Sequence, residues 1–538
     1  MARLRDAVRP ALSTSTLRRV QLGVGANSLA SWGLNVALGI YAFDVGGAAA
    51  VGTAALARMI PAGLAAPLAG LAADRWSRRD VLLVAGILGG ISLALIAGAV
   101  RAGLPFAVVL VLAAAFTALT TVQHPALAAL LPDLAQTPLQ LAAANSVANG
   151  VENVAYLVGS LVAGLVYAAA GAAAAFVLIA LVALVAALAW AGVARDPVPD
   201  HRLAAAEAPL HELTLGLRAV LAEPPLRVLV GTMSLATLVE GAVDVLLVVT
   251  ALSLLDMGSS GVGTLNACWG LGGVLGGAAA LSLLGVGRVS AGIVLGGLAA
   301  GIPLIVIGIA PGVAVAATML AIVGVGYSLI EIAGHTLVQR LTSDEVLGRA
   351  FAVLESSYWV TTGVGAMLCP LLISLVGARG ALIVVGLCLP ATVALRRHAL
   401  TVFEDAAPVP EQEFAMLRRL ALFAPVPLAT VENLSRRVER LPVAGGDVLF
   451  RAGDDGDRFY VVASGELLVT RDGIEISRAA PGGFVGEIAL LRDVPRTATV
   501  TVAESGVLFA LEREDFIGTI TGNVRSSQAA DAVITARS

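Results

Sequence analysis

Long apolar segments alternate with short polar ones over the first three quarters of the chain. A helix that crosses a bilayer needs about 20 apolar residues. On that measure the pattern predicts twelve membrane-spanning helices, at 20–43, 48–72, 80–100, 104–123, 141–168, 172–194, 226–254, 260–284, 289–309, 312–334, 352–376 and 379–397. The longest polar connection, 195–225, follows the sixth helix and bears several prolines. We therefore predict two six-helix halves, 1–194 and 226–397, joined by a cytoplasmic central loop.

A short internal repeat supports the division into halves. HPALAALLPD at 124–133 and HTLVQRLTSD at 335–344 occupy corresponding loops, after the fourth and tenth helices, and their His and Asp residues are each 211 positions apart. Duplicated halves are common in transporters.

The pattern changes after Arg397. A linker at 398–419 leads into short strand-like runs such as RFYVVASGELLV, which alternate with Gly/Asp turns. We predict a small β domain of the jelly-roll type over 420–522, followed by a tail at 523–538. The predicted fold class is thus an α-helical membrane protein with a C-terminal β jelly roll.

Composition agrees with this division. The chain of 538 residues is 58% hydrophobic and 13% charged, against about 25% charged in soluble domains. Residues 398–538 carry 20 of the 38 carboxylates and 14 of the 34 basic residues, so this part is acidic and offers no basic footprint for nucleic acid. The three cysteines are widely separated, which predicts neither a disulfide framework nor a metal site.

The arginines predict the orientation in the bilayer. In the predicted topology, all arginines that flank the membrane helices fall on the side of the termini except Arg101 and Arg379. The positive-inside rule then makes both termini cytoplasmic. The first apolar stretch is longer than a signal-peptide core and lacks a cleavage site, so we interpret it as a retained helix in the cell membrane.

The loop GLAADRWSRRDVLL at 70–83 combines an acidic residue with several basic ones. Its candidate residues are Gly70, Asp74, Arg75, Arg78 and Arg79. Charges there can latch one conformation of a helical bundle, although positive-inside topology alone would also explain the arginines. The loop resembles the signature of the major facilitator superfamily, and that resemblance implies a latch partner after the fourth helix, for which Asp133 is the candidate.

Three further segments resemble an exporter branch of that superfamily, which includes siderophore and drug efflux proteins. They are ARMIPAGLAAPLAGLAADR (57–75), ALLPDLAQTPLQLAAAN (129–145) and LVQRLTSDEVLGRAF (337–351). The resemblance implies export of a small molecule. The antiporter motif of the fifth helix is incomplete, with Gly159-Ser160 and Ala163-Gly164 in its place.

Ionisable residues inside membrane helices are costly and mark functional sites. The candidates are Arg58, Glu152, Glu240, Asp244 and Glu331. Glu240 and Asp244 are four residues apart and share one helical face, which favours proton coupling. Two alternatives stay open, because the same carboxylates could line a watery cavity or pair structurally with Arg58.

The segment GFVGEIALLRDVPRTATV at 483–500 places a Gly-Glu pair nine residues before an arginine. It resembles the phosphate-binding cassette of cyclic nucleotide-binding domains. The resemblance implies that the backbone of Gly486, Glu487, Ile488 and Ala489 and the side chain of Arg496 receive the cyclic phosphate, and that Glu487 accepts from the ribose hydroxyl. Thr497 does not decide between cAMP and cGMP, Val485 replaces the usual phenylalanine, and only a short segment follows Phe516.

Three hypotheses follow from the sequence. The chain is a transporter regulated by a cyclic nucleotide, a membrane-anchored nucleotide receptor that no longer transports, or a transporter with a non-binding structural tail. We find no nucleophile, metal or acid-base constellation, so we predict no enzyme, no catalytic residue, no metal and no required cofactor. The predicted partners are a small-molecule substrate, a cyclic nucleotide and the lipid bilayer; the sequence leaves the oligomeric state, the substrate and the coupling ion open.

Overall fold

The computed structural model describes residues 14–134, 138–194, 209–284, 289–342, 344–395, 410–424, 426 and 428–521. The chain divides into a helical unit, within the residues up to Ala407, and a second unit that begins at Pro408. Each unit has its own buried apolar core, and each is described separately below.

The first unit is entirely helical over its described residues. Its helices are α1 Ser15–Arg75, α2 Arg78–Arg101, α3 Phe106–Leu134, α4 Pro138–Ala191, α5 Pro209–Ala222, α6 Pro224–Val249, α7 Gly258–Leu284, α8 Val289–Ile309, α9 Val313–Leu341 and α10 Asp344–Leu395. A π-helical turn, Thr250–Leu254, extends α6. Among the described residues, eight helical stretches are long and apolar enough to cross a membrane. The prediction of a helical, multi-pass membrane unit is confirmed.

Glycines interrupt the three longest helices. In α1 the backbone is non-helical at Gly46 and Gly47, the latter with φ 61°. Helix α4 is interrupted at Gly171 with φ 81° and ψ 176°, and α10 at Gly377 with φ 74° and ψ 169°. These positive φ values are accessible to glycine at little cost. Gly171 and Gly377 have nearly identical dihedral angles, and they occupy equivalent positions in the two predicted halves.

Glycines also allow neighbouring helices to approach closely. A methyl group on Gly241 of α6 would overlap the carbonyl oxygen of Thr362 in α10, and one on Gly365 of α10 would overlap that of Leu238 in α6. Gly272 of α7 meets the carbonyl of Ala321 in α9 in the same way. The run GLGGVLGG at 270–277 therefore lies at a close contact between helices. Such contacts substitute for the hydrophobic effect, which drives little association between helices in lipid.

The second unit packs helices against an antiparallel sheet. Its elements are α11 Glu411–Arg419, α12 Leu428–Arg436, β1 Glu439–Val443, β2 Val448–Phe450, β3 Arg458–Arg471, β4 Ile474–Ala479, β5 Phe484–Val485, α13 Glu487–Arg492, β6 Thr499–Glu512 and α14 Arg513–Thr521. The strand order is β1-β6-β3-β4, with β2 paired to β6 and β5 to β3. The sequence prediction of a C-terminal β domain is confirmed at this level.

Local sequence explains how this sheet forms. Asp472 and Gly473 form the two-residue turn between β3 and β4, with φ of 55° and 82°, as a type I′ hairpin requires. Buried aromatic rings join the helices to the sheet: Phe459 of β3 stacks on Phe516 of α14 with centroids 4.3 Å apart, and both contact Phe423.

We expect Gly241→Ala to destabilise the helical unit. The new methyl would meet the Thr362 carbonyl, and overpacking of this kind costs about 1–3 kcal/mol. Thermal unfolding of the full chain in detergent should show a midpoint several degrees lower. The matched control is Gly98→Ala, because nothing lies within 4 Å of its added methyl. Equal midpoints for the two variants would contradict the close packing of α6 on α10.

Candidate functional sites

A cavity of about 500 Å³ lies inside the helical unit. All five ionisable residues predicted from the sequence line it: Arg58, Glu152, Glu240, Asp244 and Glu331. They come from α1, α4, α6 and α9, so four different helices contribute them. Its volume falls in the range of small-molecule sites, about 300–1,000 Å³.

Arg58 is held by neutral groups. Its Nε donates to Thr117 Oγ1 at 3.1 Å and its Nη1 to Asn35 Oδ1 at 3.1 Å, and the residue is 7% exposed. Among the described residues, no salt bridge within 4 Å joins Arg58 to Glu240 or Asp244. A direct structural ion pair, which was one of the alternatives for these carboxylates, is therefore not formed in this conformation.

The packing of α6 on α10 fixes the Glu240–Asp244 face. Gly241 follows Glu240 and contacts the Thr362 backbone, while Thr237, three residues before Glu240, shares a 2.5 Å hydrogen bond with Thr361. These contacts restrict rotation of α6 about its axis. Both carboxylates line the cavity, as their shared helical face predicts.

The cavity also contains residues that the sequence analysis missed. His335 lies four residues after Glu331 and lines the same space, as does Glu355, whose Oε1 accepts from Trp359 Nε1 at 2.9 Å. The spacing of Glu331 and His335 could have identified the histidine. The aromatic residues Trp32 and Tyr156, whose ring centroids are 4.1 Å apart, had no signal in the sequence that would separate them from ordinary packing residues.

The predicted latch residues lie at the end of α1, the start of α2 and in α3. Gly70, Asp74 and Arg75 belong to α1 and Asp133 to α3, but their side chains fall outside what the structure describes. Arg78 and Arg79 begin α2. Arg79 Nη1 lies 2.7 Å from Asp80 Oδ1, and its Nη2 donates to the carbonyl of Ala191 at the end of α4 at 2.9 Å. The latch stays a prediction.

The second candidate site lies in the β unit, where β5 is followed by Gly486 and then by α13. Gly486 is the N-cap of α13 and has φ 92°, a conformation that favours glycine. A methyl group here would lie 2.6 Å from Arg496 Nη1. The first backbone N–H groups of a helix have no intrahelical acceptor, and in α13 these belong to Glu487, Ile488 and Ala489.

Arg496 is buried beneath this turn, at 3% exposure. Its Nη1 donates to the Gly486 carbonyl at 3.1 Å, and its Nη2 to the Arg458 carbonyl at 2.8 Å and to Asp457 Oδ1 at 3.0 Å. Nε is buried with no hydrogen-bond acceptor among the described residues. The guanidinium thus joins the cassette to β3 and still has N–H groups, Nε among them, for which no described residue is an acceptor.

An aromatic ring lies over the guanidinium plane of Arg496. The guanidinium carbon lies 4.2 Å from the centroid of Phe450, and Phe450 stacks on Tyr460 at 6.1 Å. Burial raises the pKa of Tyr460, so its phenol stays neutral at pH 7.

Two other predicted site residues lie nearby in the sequence. Glu487 is 2% exposed. The backbone carbonyl of Thr497 accepts a hydrogen bond from Arg471 Nε at 3.3 Å. The structure therefore brings Gly486 and Arg496 together as the motif predicts, while the binding roles of the cassette residues stay predictions.

Fold and sites together define a multi-pass helical membrane protein with an internal cavity and an attached antiparallel β unit. The chain belongs to the Major Facilitator Superfamily, whose model matches residues 21–346. Residues 440–523 match the model of the cyclic nucleotide-binding domain. The fusion predicted from the sequence is confirmed.

Solved structures agree on the helical fold. A nucleoside transporter aligns with a TM-score of 0.60 at 12% identity, covering 72% of this chain and 100% of that chain. A POT family transporter aligns with a TM-score of 0.58 at 12% identity, covering 71% and 96%. At this identity the likeness shows the fold alone.

Curated relatives are similar to a shorter part of this chain. The cAMP-dependent protein kinase type II regulatory subunit of Drosophila melanogaster is 45% identical over 74 residues, which are 14% of this chain and 20% of that protein. A cyclic nucleotide-gated potassium channel of Mesorhizobium japonicum is 36% identical over 107 residues, 19% of this chain and 29% of the channel. The chain spans less than a third of either relative.

We expect Gly486→Ala to loosen α13. A left-handed non-glycine residue costs about 1–2 kcal/mol, and here the methyl would also push Arg496 away from the Gly486 carbonyl. Hydrogen–deuterium exchange on the full chain should become faster over 487–492. Gly473→Ala is the matched control, since its φ is 82° and nothing lies within 4 Å of the added methyl. The same effect on α13 from both variants would refute the role of the Arg496 contact.

Proposed function

We propose that this chain is a transporter that moves a small molecule by alternating access, in the direction of export, and that its C-terminal domain binds a cyclic nucleotide and regulates it. The observation that carries the transport proposal is the 500 Å³ cavity, lined from both predicted halves by ionisable groups. Transporters with repeated halves bind their substrates between the repeats. Export is supported by the exporter-like segments at 57–75, 129–145 and 337–351.

The proposed membrane unit has twelve spans. A straight helix of 61 residues, the length of α1, would extend about 90 Å, three times the roughly 30 Å of a hydrocarbon core. The breaks at Gly46–Gly47, Gly171 and Gly377 divide α1, α4 and α10 into two spans each. Together with α2, α3 and α6–α9 this gives twelve, in the halves 1–194 and 226–397, and the arginine distribution supports cytoplasmic termini.

The proposed nucleotide site is the turn from Gly486 into α13 with Arg496 beneath it, in a jelly-roll domain over 420–522. The support is the left-handed Gly486, the buried guanidinium of Arg496 and its unpaired Nε. A phosphate oxygen can accept from Nε and from the backbone N–H groups of Glu487 to Ala489. The match to protein kinase regulatory subunits favours cAMP, with cGMP as the alternative.

Regulation requires the nucleotide to bind one transporter conformation better than the other. A ligand shifts a two-state equilibrium only by its differential affinity for the two states. A domain that bound nucleotide equally well in both states would leave transport unchanged.

For the nucleotide site, we expect Arg496→Ala to weaken cAMP binding about ten- to 150-fold. The substitution removes a charge-assisted hydrogen bond worth about 1.5–3 kcal/mol. The measurement is isothermal titration calorimetry of the purified full chain with cAMP and with cGMP. Arg478→Ala is the control, because this half-exposed arginine of β4 pairs with Glu466 and Glu475 at the surface.

The titration also separates the hypotheses. Saturable binding that Arg478→Ala leaves intact supports the nucleotide site. Absence of saturable binding of either nucleotide to the wild-type chain would refute it and leave a transporter with a structural tail.

For the transport unit, we expect acidification to shift the conformational equilibrium through Glu240 and Asp244. Both carboxylates line a cavity that also contains Arg58, Glu152 and Glu331. Their surroundings should change between the two conformations of the transporter, so the two conformations should differ in proton affinity and protonation should favour one of them. Spin-label pairs at Ala102/Ala310 and at Trp76/Ala222, in a cysteine-free chain in liposomes, report the two predicted membrane faces. Between pH 8 and pH 5 the two distances should change in opposite directions.

The double variant Glu240→Gln with Asp244→Asn should abolish this pH response. Glu223→Gln, at the exposed start of α6 and outside the cavity, should retain it. A double variant that responds like the wild-type chain would sink the coupling role of this pair. Distances that never change in opposite directions would count against alternating access itself.

A further inference from the structure

The cavity of the helical unit contains far more acidic than basic groups. The charged and titratable residues that line it are Glu152, Glu240, Asp244, Glu331, Glu355, Arg58 and His335. Five carboxylates thus face one guanidinium and one imidazole. Ionisable groups at membrane depth are costly and are retained where they meet a charge or water, so carboxylates such as Glu240 and Asp244 can receive a positively charged ligand.

The one guanidinium is already engaged elsewhere. Arg58 donates to Asn35 and Thr117, both on helices of the first half. Glu240 and Asp244 lie on α6 of the second half, and over the part of the chain that the structure describes neither forms a salt bridge with Arg58 within 4 Å. An incoming cation would therefore meet carboxylates that Arg58 does not neutralise by direct contact.

Aromatic pairs line the cavity from both halves. Trp32 of α1 and Tyr156 of α4 form an edge-to-face pair, and Trp269 of α7 and Tyr327 of α9 stack with centroids 5.3 Å apart. All four rings line the cavity. The faces of aromatic rings attract cations and repel anions, and they pack well against flat apolar groups. The lining is suited to a molecule that is both apolar and positively charged.

A separate feature also points to a ligand. Gln123 of α3 lines the cavity at 2% exposure, and its Oε1 is buried with no hydrogen-bond donor among the described residues. Buried polar atoms are normally paired. A ligand with an N–H group would satisfy this acceptor, whereas a ligand that offers only acceptors would not.

From these observations we infer that the cavity binds organic cations, that is, molecules with an aromatic or apolar body and a positively charged group. Glu240 and Asp244 neutralise the positive charge of the bound molecule. This inference names the substrate class of the cavity and rests on the proposed transport function. An anion of the same shape would meet five carboxylates.

The test uses two ions of one shape and opposite charge. Tetraphenylphosphonium and tetraphenylborate each carry four phenyl groups on a central atom. Equilibrium dialysis of the purified full chain in detergent, corrected with protein-free micelles, measures their binding. We expect saturable binding of the phosphonium only. Glu240→Gln and Asp244→Asn should each weaken it at least tenfold, while Glu223→Gln should leave it unchanged.

Thermal unfolding of the variants checks that these near-isosteric changes leave the fold intact; should either unfold, the comparison of the two ions on the wild-type chain decides. Equal or tighter binding of the borate, no saturable binding of the phosphonium, or phosphonium binding unchanged in both variants would overturn the inference. Failure of this inference is distinct from failure of transport: opposite changes of the spin-label distances without phosphonium binding would leave a transporter for another class of substrate.

Discussion

Close backbone contact between α6 and α10 is the interaction on which the cavity depends. Gly241 and Gly365 let each helix touch the carbonyl groups of the other, and lipid provides little hydrophobic force that could hold the helices together instead. Glu240 directly precedes Gly241, so the residue that permits the contact also fixes where the carboxylate points. Larger residues at these glycines would separate the helices and change the cavity wall.

Each unit contains a buried arginine whose guanidinium donates hydrogen bonds to neutral groups. Arg58 is held by a hydroxyl and an amide, whereas Arg496 is held by two backbone carbonyls and by Asp457, whose side chain is 69% exposed. A buried, fully neutralised ion pair often gains little against its desolvation cost. Neutral acceptors hold Arg58 without neutralising the carboxylates of the cavity, and the carbonyls that hold Arg496 leave its charge only partly compensated, by the exposed Asp457.

Features that depend on a local pattern of residues could be predicted from the sequence. Apolar length predicted the membrane helices, the Asp472-Gly473 pair is typical of the hairpin it forms, and the four-residue spacing placed Glu240 and Asp244 on one face of α6. Contacts between distant residues had no such signal. Arg58 meets Thr117 across 59 positions, Trp32 meets Tyr156 from another helix, and Asp457 reaches Arg496 across 39. These pairings depend on how helices and strands pack, which a single sequence does not reveal.

One chain contains both a cavity and a cyclic nucleotide-binding domain. Thermodynamic linkage relates binding at the two sites, whatever contacts transmit the effect. If cyclic nucleotide changes the affinity of the cavity for its ligand by some factor, the cavity ligand must change the affinity for nucleotide by the same factor. A tenfold effect corresponds to about 1.4 kcal/mol. That is comparable to one charge-assisted hydrogen bond, such as a phosphate could form with Arg496, so a single interaction present in only one conformation is sufficient to couple the two units.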